Sequence, residues 1–168
     1  MRLIALAFSA LFLLAAQPVF AQDDEEDYSN AATADLSDEQ RQKYVAAEAA
    51  YAAGDYAKTR ELLKPLTDDR VGAAWWLMGI LDFQGLGGPK NEDGSREHFI
   101  AAAKTGSSYY QTSLGDLYRE GEKPFKKDCD QAETWYKQAM MRGNAVAKDR
   151  MDLLRVCRGE PLTRKRNK

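Results

Sequence analysis

The chain has 168 residues, 24 Lys and Arg against 26 Asp and Glu, a net charge of −2, one histidine and two cysteines. That balance argues against a nucleic-acid binder, which needs a basic face, and one histidine with two cysteines makes no zinc site. The length fits a single domain able to bury a core.

The N-terminus reads as an export signal. Arg2 precedes an apolar run from Leu3 to Ala16, and Val19-Phe20-Ala21 ends in a small-x-small cleavage pattern. The run is short of the roughly 20 residues that a bilayer span needs. Residues 1–21 are therefore expected to be removed, with no stable membrane insertion afterwards, and no cysteine near the cut suggests lipidation. The remaining chain carries about −3. Residues 22–37 form an acidic lead-in with Asp23, Asp24, Glu25, Glu26 and Asp27, and residues 158–168 a basic tail with Arg164, Lys165, Arg166 and Lys168. Both are expected to be flexible and solvated.

Between these ends the sequence is rich in Ala, Leu, Glu, Lys and Arg, shows no run of alternating β-branched residues, and places Gly and Pro where helices end. Seven helices are predicted. The first spans about Asp38 to Ala53 and stops at Gly54-Asp55; the second runs from Tyr56 to Lys64, where Pro65 interrupts it. The third covers Arg70 to Gln84, before Gly85, Gly87, Gly88 and Pro89. A fourth begins after Asn91 or Asp93 as N-cap and ends at Gly106; a fifth spans Ser107 to Glu120. The sixth runs from near Asp128 to Gly143 and the seventh from Asn144 to Val156. Short links imply antiparallel neighbours.

The helices come in copies. Met78-Gly79 recurs as Leu114-Gly115 and Gly85 as Gly121, each 36 residues on, while Gly106 recurs as Gly143, Ala102 as Ala139 and Phe99 as Tyr136 at 37. Gly79 and Gly115 fall inside helices, where glycine costs about 1 kcal/mol relative to alanine, so each predicts a close helix contact.

These stretches resemble Sel1-like repeat proteins, relatives of the tetratricopeptide repeats: Leu77-Met78-Gly79 to Gly85-Leu86-Gly87, Leu114-Gly115-Asp116-Leu117-Tyr118-Arg119-Glu120-Gly121, and Ala132 through Trp135-Tyr136 to Ala139 and Gly143. Ala49-Ala50-Tyr51 with Gly54-Asp55-Tyr56 and Pro65 looks like a preceding tetratricopeptide-type unit. The resemblance covers residues 38–157 and implies an all-α, right-handed solenoid of antiparallel helix pairs. The chain departs from the pattern in three places. Asp82 stands where the second copy has the aromatic Tyr118, His98 stands where Trp135 does, and the last helix has Asp152 in place of the glycine. That helix is expected to be a terminal cap with a more polar outer face.

Cys129 and Cys157 lie 14 residues on either side of Gly143. In a hairpin turning there they can meet, given Cα atoms within about 7 Å. Export favours a disulfide, which would contribute about 3 kcal/mol by closing the loop; the alternative is two unpaired thiols. A catalytic dithiol would require a Cys-x-x-Cys pair.

No catalytic constellation emerges and none is assigned. His98 is expected to pack, Ser95 near it lacks a third partner, and Gly85-Leu86-Gly87-Gly88 follows a helix and lacks a phosphate-loop lysine. No cofactor or metal is expected. Some cysteine-rich Sel1-like proteins are linked to β-lactams, but through many closely spaced cysteine pairs that this chain lacks.

In repeat solenoids the first helix of each pair lines the inner face. Similarity to the tetratricopeptide pattern puts Arg41, Tyr44, Glu48 and Tyr51, then Trp76, Ile80 and Phe83, then Tyr109, Asp116 and Arg119 at inward positions. Aromatic and arginine side chains there suit partner contact. Trp75 and Trp135 are expected in the core. The expectation is an exported, non-enzymatic scaffold or regulator that holds a protein or peptide of the cell envelope, in the periplasm or secreted. The alternative is a protein that binds or hydrolyses a cell-wall fragment or β-lactam.

Overall fold

The computed structural model describes residues 36–160. The expected signal peptide, most of the lead-in and the basic tail after Glu160 lie outside the described residues. Seven helices follow: α1 Asp38–Ala52, α2 Tyr56–Asp68, α3 Gly72–Gln84, α4 Glu92–Lys104, α5 Ser108–Glu120, α6 Cys129–Met141 and α7 Ala145–Cys157, with no strand among the described residues. Pairs α1/α2, α3/α4 and α5/α6 pack as hairpins, each against the next, and α7 closes the stack on α6 and α5. This is an all-α solenoid.

The caps set the repeat. Asp55, Asn91 and Asp128, spaced 36 and 37 residues apart, accept with their side chains from amides in the first turn of α2, α4 and α6. Ser37 makes a reciprocal capping box with Gln40 at the start of α1, and Asn144 caps α7. Gly85 and Gly121 end α3 and α5 at φ 72° and 73°, a left-handed turn that glycine adopts without strain. The loop 121–128 is one residue longer than its counterpart 85–91, which explains the change of spacing from 36 to 37.

Two boundaries differ from the sequence expectation. Pro65 does not end α2, which continues to Asp68. The amide that proline lacks would have met the carbonyl of the exposed Glu61, where solvent can substitute, and the last turn is held by Asp69 N to Pro65 O and Val71 N to Leu66 O. The chain reverses at Arg70, whose φ of 59° is incompatible with a helix, so α3 begins at Gly72 and not at Arg70.

Close approach at the two helix glycines holds as expected. A Cβ on Gly79 would stand 2.9 Å from Phe99 Cε1, and one on Gly115 would overlap the Tyr136 ring. Phe99 and Tyr136 are the aromatic pair of the 37-residue register, so each copy docks an aromatic of its second helix onto a glycine of its first. Trp76 fills the junction between copies, with ring centroids 4.6 Å from Phe99 and 5.2 Å from Tyr110. A smaller cluster of Ala132, Tyr136, Ala139, Ala147 and Leu154 seats α7. Cys129 and Cys157 pair there with Cα atoms 6.0 Å apart and their sulfurs at bonding distance. The outer face of α7 carries Lys148, Asp149 and Asp152, as a cap should, but Val146 and Val156 are also half-exposed or more, so it is less polar than expected.

Candidate partner-binding surface

The first helices place the candidate residues in three different environments. On α1, Arg41 is exposed and its Nη2 donates to Leu36 O at 3.4 Å. Glu48 is half-buried, and burial pushes its carboxyl pKa up against a hydrogen bond from Tyr44. Tyr51 is half-exposed, edge-on to Tyr56 at 5.6 Å, with its phenol pKa raised by burial. On α3, Ile80 and Phe83 are half-exposed, and Lys90 Nζ lies 5.0 Å above the Phe83 ring. On α5, Tyr109 is half-exposed and edge-on to Tyr110 at 5.3 Å.

Two of the expected surface residues are core. Tyr44 is 2% exposed and Trp76 3% exposed, so neither can touch a partner in this fold. For Trp76 the reason is helix rotation: its ring is enclosed by Phe99 and Tyr110, which leaves its neighbour Trp75 half-buried against the His98 ring at 5.1 Å, while Trp135 is buried as expected.

Asp116 and Arg119 belong to a network that ties three helices. Tyr136 from α6 donates its hydroxyl to Asp116 Oδ1 at 2.8 Å, Arg119 Nη2 donates to the same oxygen at 3.1 Å, and Arg119 Nε donates to the tyrosine oxygen at 3.1 Å. Arg150 of α7 stands 3.3 Å from Asp116 Oδ2 without the alignment of a hydrogen bond, and Arg119 also meets Glu120. Burial and then the Asp116 charge push the Tyr136 phenol up, so it stays a donor. This arrangement is structural before it can be a contact surface.

Two features were missed from the sequence. The buried Asp82 carboxylate meets Arg60 Nη1 at 2.7 Å and His98 Nδ1 at 3.0 Å, joining α2, α3 and α4. An open cavity of about 490 Å³ lies between α4, α5 and the loop that follows, lined by Arg96, Tyr118 and residues 124–128. The equal offset of Arg60 and Arg96 from their N-caps and the exchange of Asp82 for Tyr118 were the available signals. No group of His, Cys, Asp and Glu suited to a metal ion occurs among the described residues.

The fold is that of a helical-repeat scaffold, the kind of molecule that typically mediates protein interactions. No protein-family model and no curated protein matches the chain. Among solved structures, it is similar to a Sel1 repeat protein from Oxalobacter formigenes, at 27% identity and a TM-score of 0.57, over 71% of this chain and 49% of that one. It is also similar to a protective antigen of uropathogenic Escherichia coli strains that displays an SLR fold, at 25% identity and a TM-score of 0.55, over 82% of this chain and 27% of that one. The chain thus spans about half, and about a quarter, of the length of these two proteins. Its fold is that of the Sel1-like repeat proteins.

Proposed function

We propose that this chain is an exported scaffold that holds a protein or peptide partner of the cell envelope on the first helices of its repeats. The observation that carries the reading is the presence of a half-exposed aromatic side chain on each of those helices, Tyr51 on α1, Phe83 on α3 and Tyr109 on α5. Such rings give contact area at low entropic cost. The likeness to two Sel1-repeat structures supports the scaffold reading. The export part rests on the charged and apolar start of the sequence and on the bonded cysteine pair, which suits an oxidising compartment. Among the described residues no helix is long and apolar enough to cross a membrane.

The test is affinity capture from the envelope fraction with residues 22–168, alongside the double variant Phe83→Ala with Tyr109→Ala. The expected result is one client lost in a variant that keeps its helix content. An identical set of captured proteins would sink the proposal.

A further inference from the structure

Where α2 meets α3, the chain supplies both halves of an ion pair. Arg60 Nη1 stands 2.7 Å from Asp82 Oδ1, its Nε donates to Leu86 O at 2.8 Å, and His98 Nδ1 faces the other carboxylate oxygen at 3.0 Å. The same junction recurs one repeat later between α4 and α5. Arg96 follows its N-cap Asn91 at the offset by which Arg60 follows Asp55. Tyr118 occupies the position of Asp82: the carbonyls of Asp82 and Tyr118 accept the amides that close the two loops, Asn91 N at 2.8 Å and Asp128 N at 2.8 Å.

The second junction therefore keeps the guanidinium and has lost the carboxylate. Trp135 stands in the position of His98; its buried indole Nε1 lacks a hydrogen-bond partner, as do Arg60 Nη2 and His98 Nδ1 at the first junction. Where the first junction is closed by its own ion pair, the second holds the open cavity of about 490 Å³. Arg96 turns outward to Asp93, an exposed pair three residues apart on one helix, which holds it only weakly.

We infer that this cavity is a carboxylate-binding site that takes an acidic side chain of a partner peptide. Arg96, Lys126 and Lys127 outnumber the one acid in its lining, Asp128, whose Oδ1 accepts from the amides of Asp130 and Gln131 in capping α6. Tyr118 and Phe125, edge-to-face at 4.7 Å, give it an apolar wall, so the acidic residue has an apolar neighbour in the peptide. The preceding repeat shows which group this arginine position pairs with: a single carboxylate, reached at hydrogen-bonding distance. The inference rests on the scaffold reading and names the chemistry of one contact.

The probe is a short, end-capped peptide of glutamate and phenylalanine, compared with its glutamine counterpart at about physiological salt, where non-specific attraction is screened. Affinity and the nuclear magnetic resonance shifts of residues 96 and 118–128 are read together. The glutamate peptide is expected to shift those residues, and the glutamine peptide to bind about tenfold more weakly or worse, as loss of a charge-assisted hydrogen bond implies. Arg96→Gln should lose the same factor. Tyr118→Asp, which restores the internal carboxylate of the preceding repeat, should close the site. Equal affinity for the two peptides, unchanged binding by Arg96→Gln, or saturation by inorganic phosphate with no response to the glutamate peptide would overturn the assignment. Shifts confined to Tyr51, Phe83 and Tyr109 would overturn it while leaving the scaffold reading intact. An unchanged client set in the Phe83 and Tyr109 double variant would do the reverse.

Discussion

Replacing Gly115 by alanine adds one methyl group at the tightest crossing in the stack. That carbon would stand 2.6 Å from Tyr136 Cδ1 and nearer still to Cε1, and Tyr136 is fully buried, so the ring must move. Its hydroxyl is fixed by Asp116 at 2.8 Å and Arg119 at 3.1 Å, so ring displacement also breaks charge-assisted hydrogen bonds. Overpacking costs about 1–3 kcal/mol, and a lost hydrogen bond to a charged group about 1.5–3 kcal/mol. Alanine returns about 1 kcal/mol of helix preference. A net loss of roughly 2–4 kcal/mol follows, or a fall in Tm on the order of 10 °C for a domain of this size. Gly79→Ala is the internal control. Its methyl would meet Phe99 at 2.9 Å, a ring with no hydroxyl to hold it, so its stability should stay within about 1 kcal/mol of the parent. Urea unfolding followed by circular dichroism, with the slope checked for two-state behaviour, separates them. A Gly115→Ala protein at least as stable as Gly79→Ala would refute the account of this crossing.

Trp76→Ala should lower stability by about 3–5 kcal/mol, because it empties a site enclosed by two rings; a variant with the parent's Tm that loses only partner capture would return Trp76 to the surface. Removing both cysteines by Cys129→Ala and Cys157→Ala should cost about 3 kcal/mol, and a reductant should lower the parent's Tm but not the variant's. An unaffected parent would mean that the thiols are unpaired. Glu133 is held by Lys137 and Arg158, which depress its pKa from 4.5 to about 2. A depressed carboxyl stabilises the fold above its unfolded pKa, so this contribution is present above about pH 4.5 and lost as pH falls towards about 2. The pair is near the surface, so the effect is at most about 1 kcal/mol and weakens with salt. Glu133→Gln should flatten acid unfolding in that window; an identical slope in the two proteins would show that the contact is not maintained in solution.

Helix order, the glycine crossings and the cysteine pairing were legible because each depends on something written locally: a cap, a break, a spacing. The rotation of α3 was not. Its sequence from Gly72 to Gln84 offers apolar side chains on nearly every side, so no polar stripe says whether Trp75 or Trp76 turns inward, and the neighbouring helices decide. Pro65 was read as a stop because proline is costly inside a helix, yet in a final turn bordering solvent that cost is small. The Asp82 cluster comes from residues more than 15 positions apart on three helices, and the cavity by Tyr118 joins Arg96 of α4 to the end of α5 and the loop after it. Their traces in the sequence are the equal offset of Arg60 and Arg96 from their N-caps and the exchange of Asp82 for Tyr118, which mark a likeness and a difference without revealing how the side chains meet.

The bond between Cys129 and Cys157 joins the first residue of α6 to the last residue of α7. Tension applied to the C-terminal end of the chain therefore does not peel α7 away turn by turn. It passes through the sulfurs directly to the start of α6, and from there into the loop 121–128, shielding the hairpin between from the load. The loop that lines the cavity is thus the first segment on the N-terminal side of the covalent ring to feel a pull on the C-terminus.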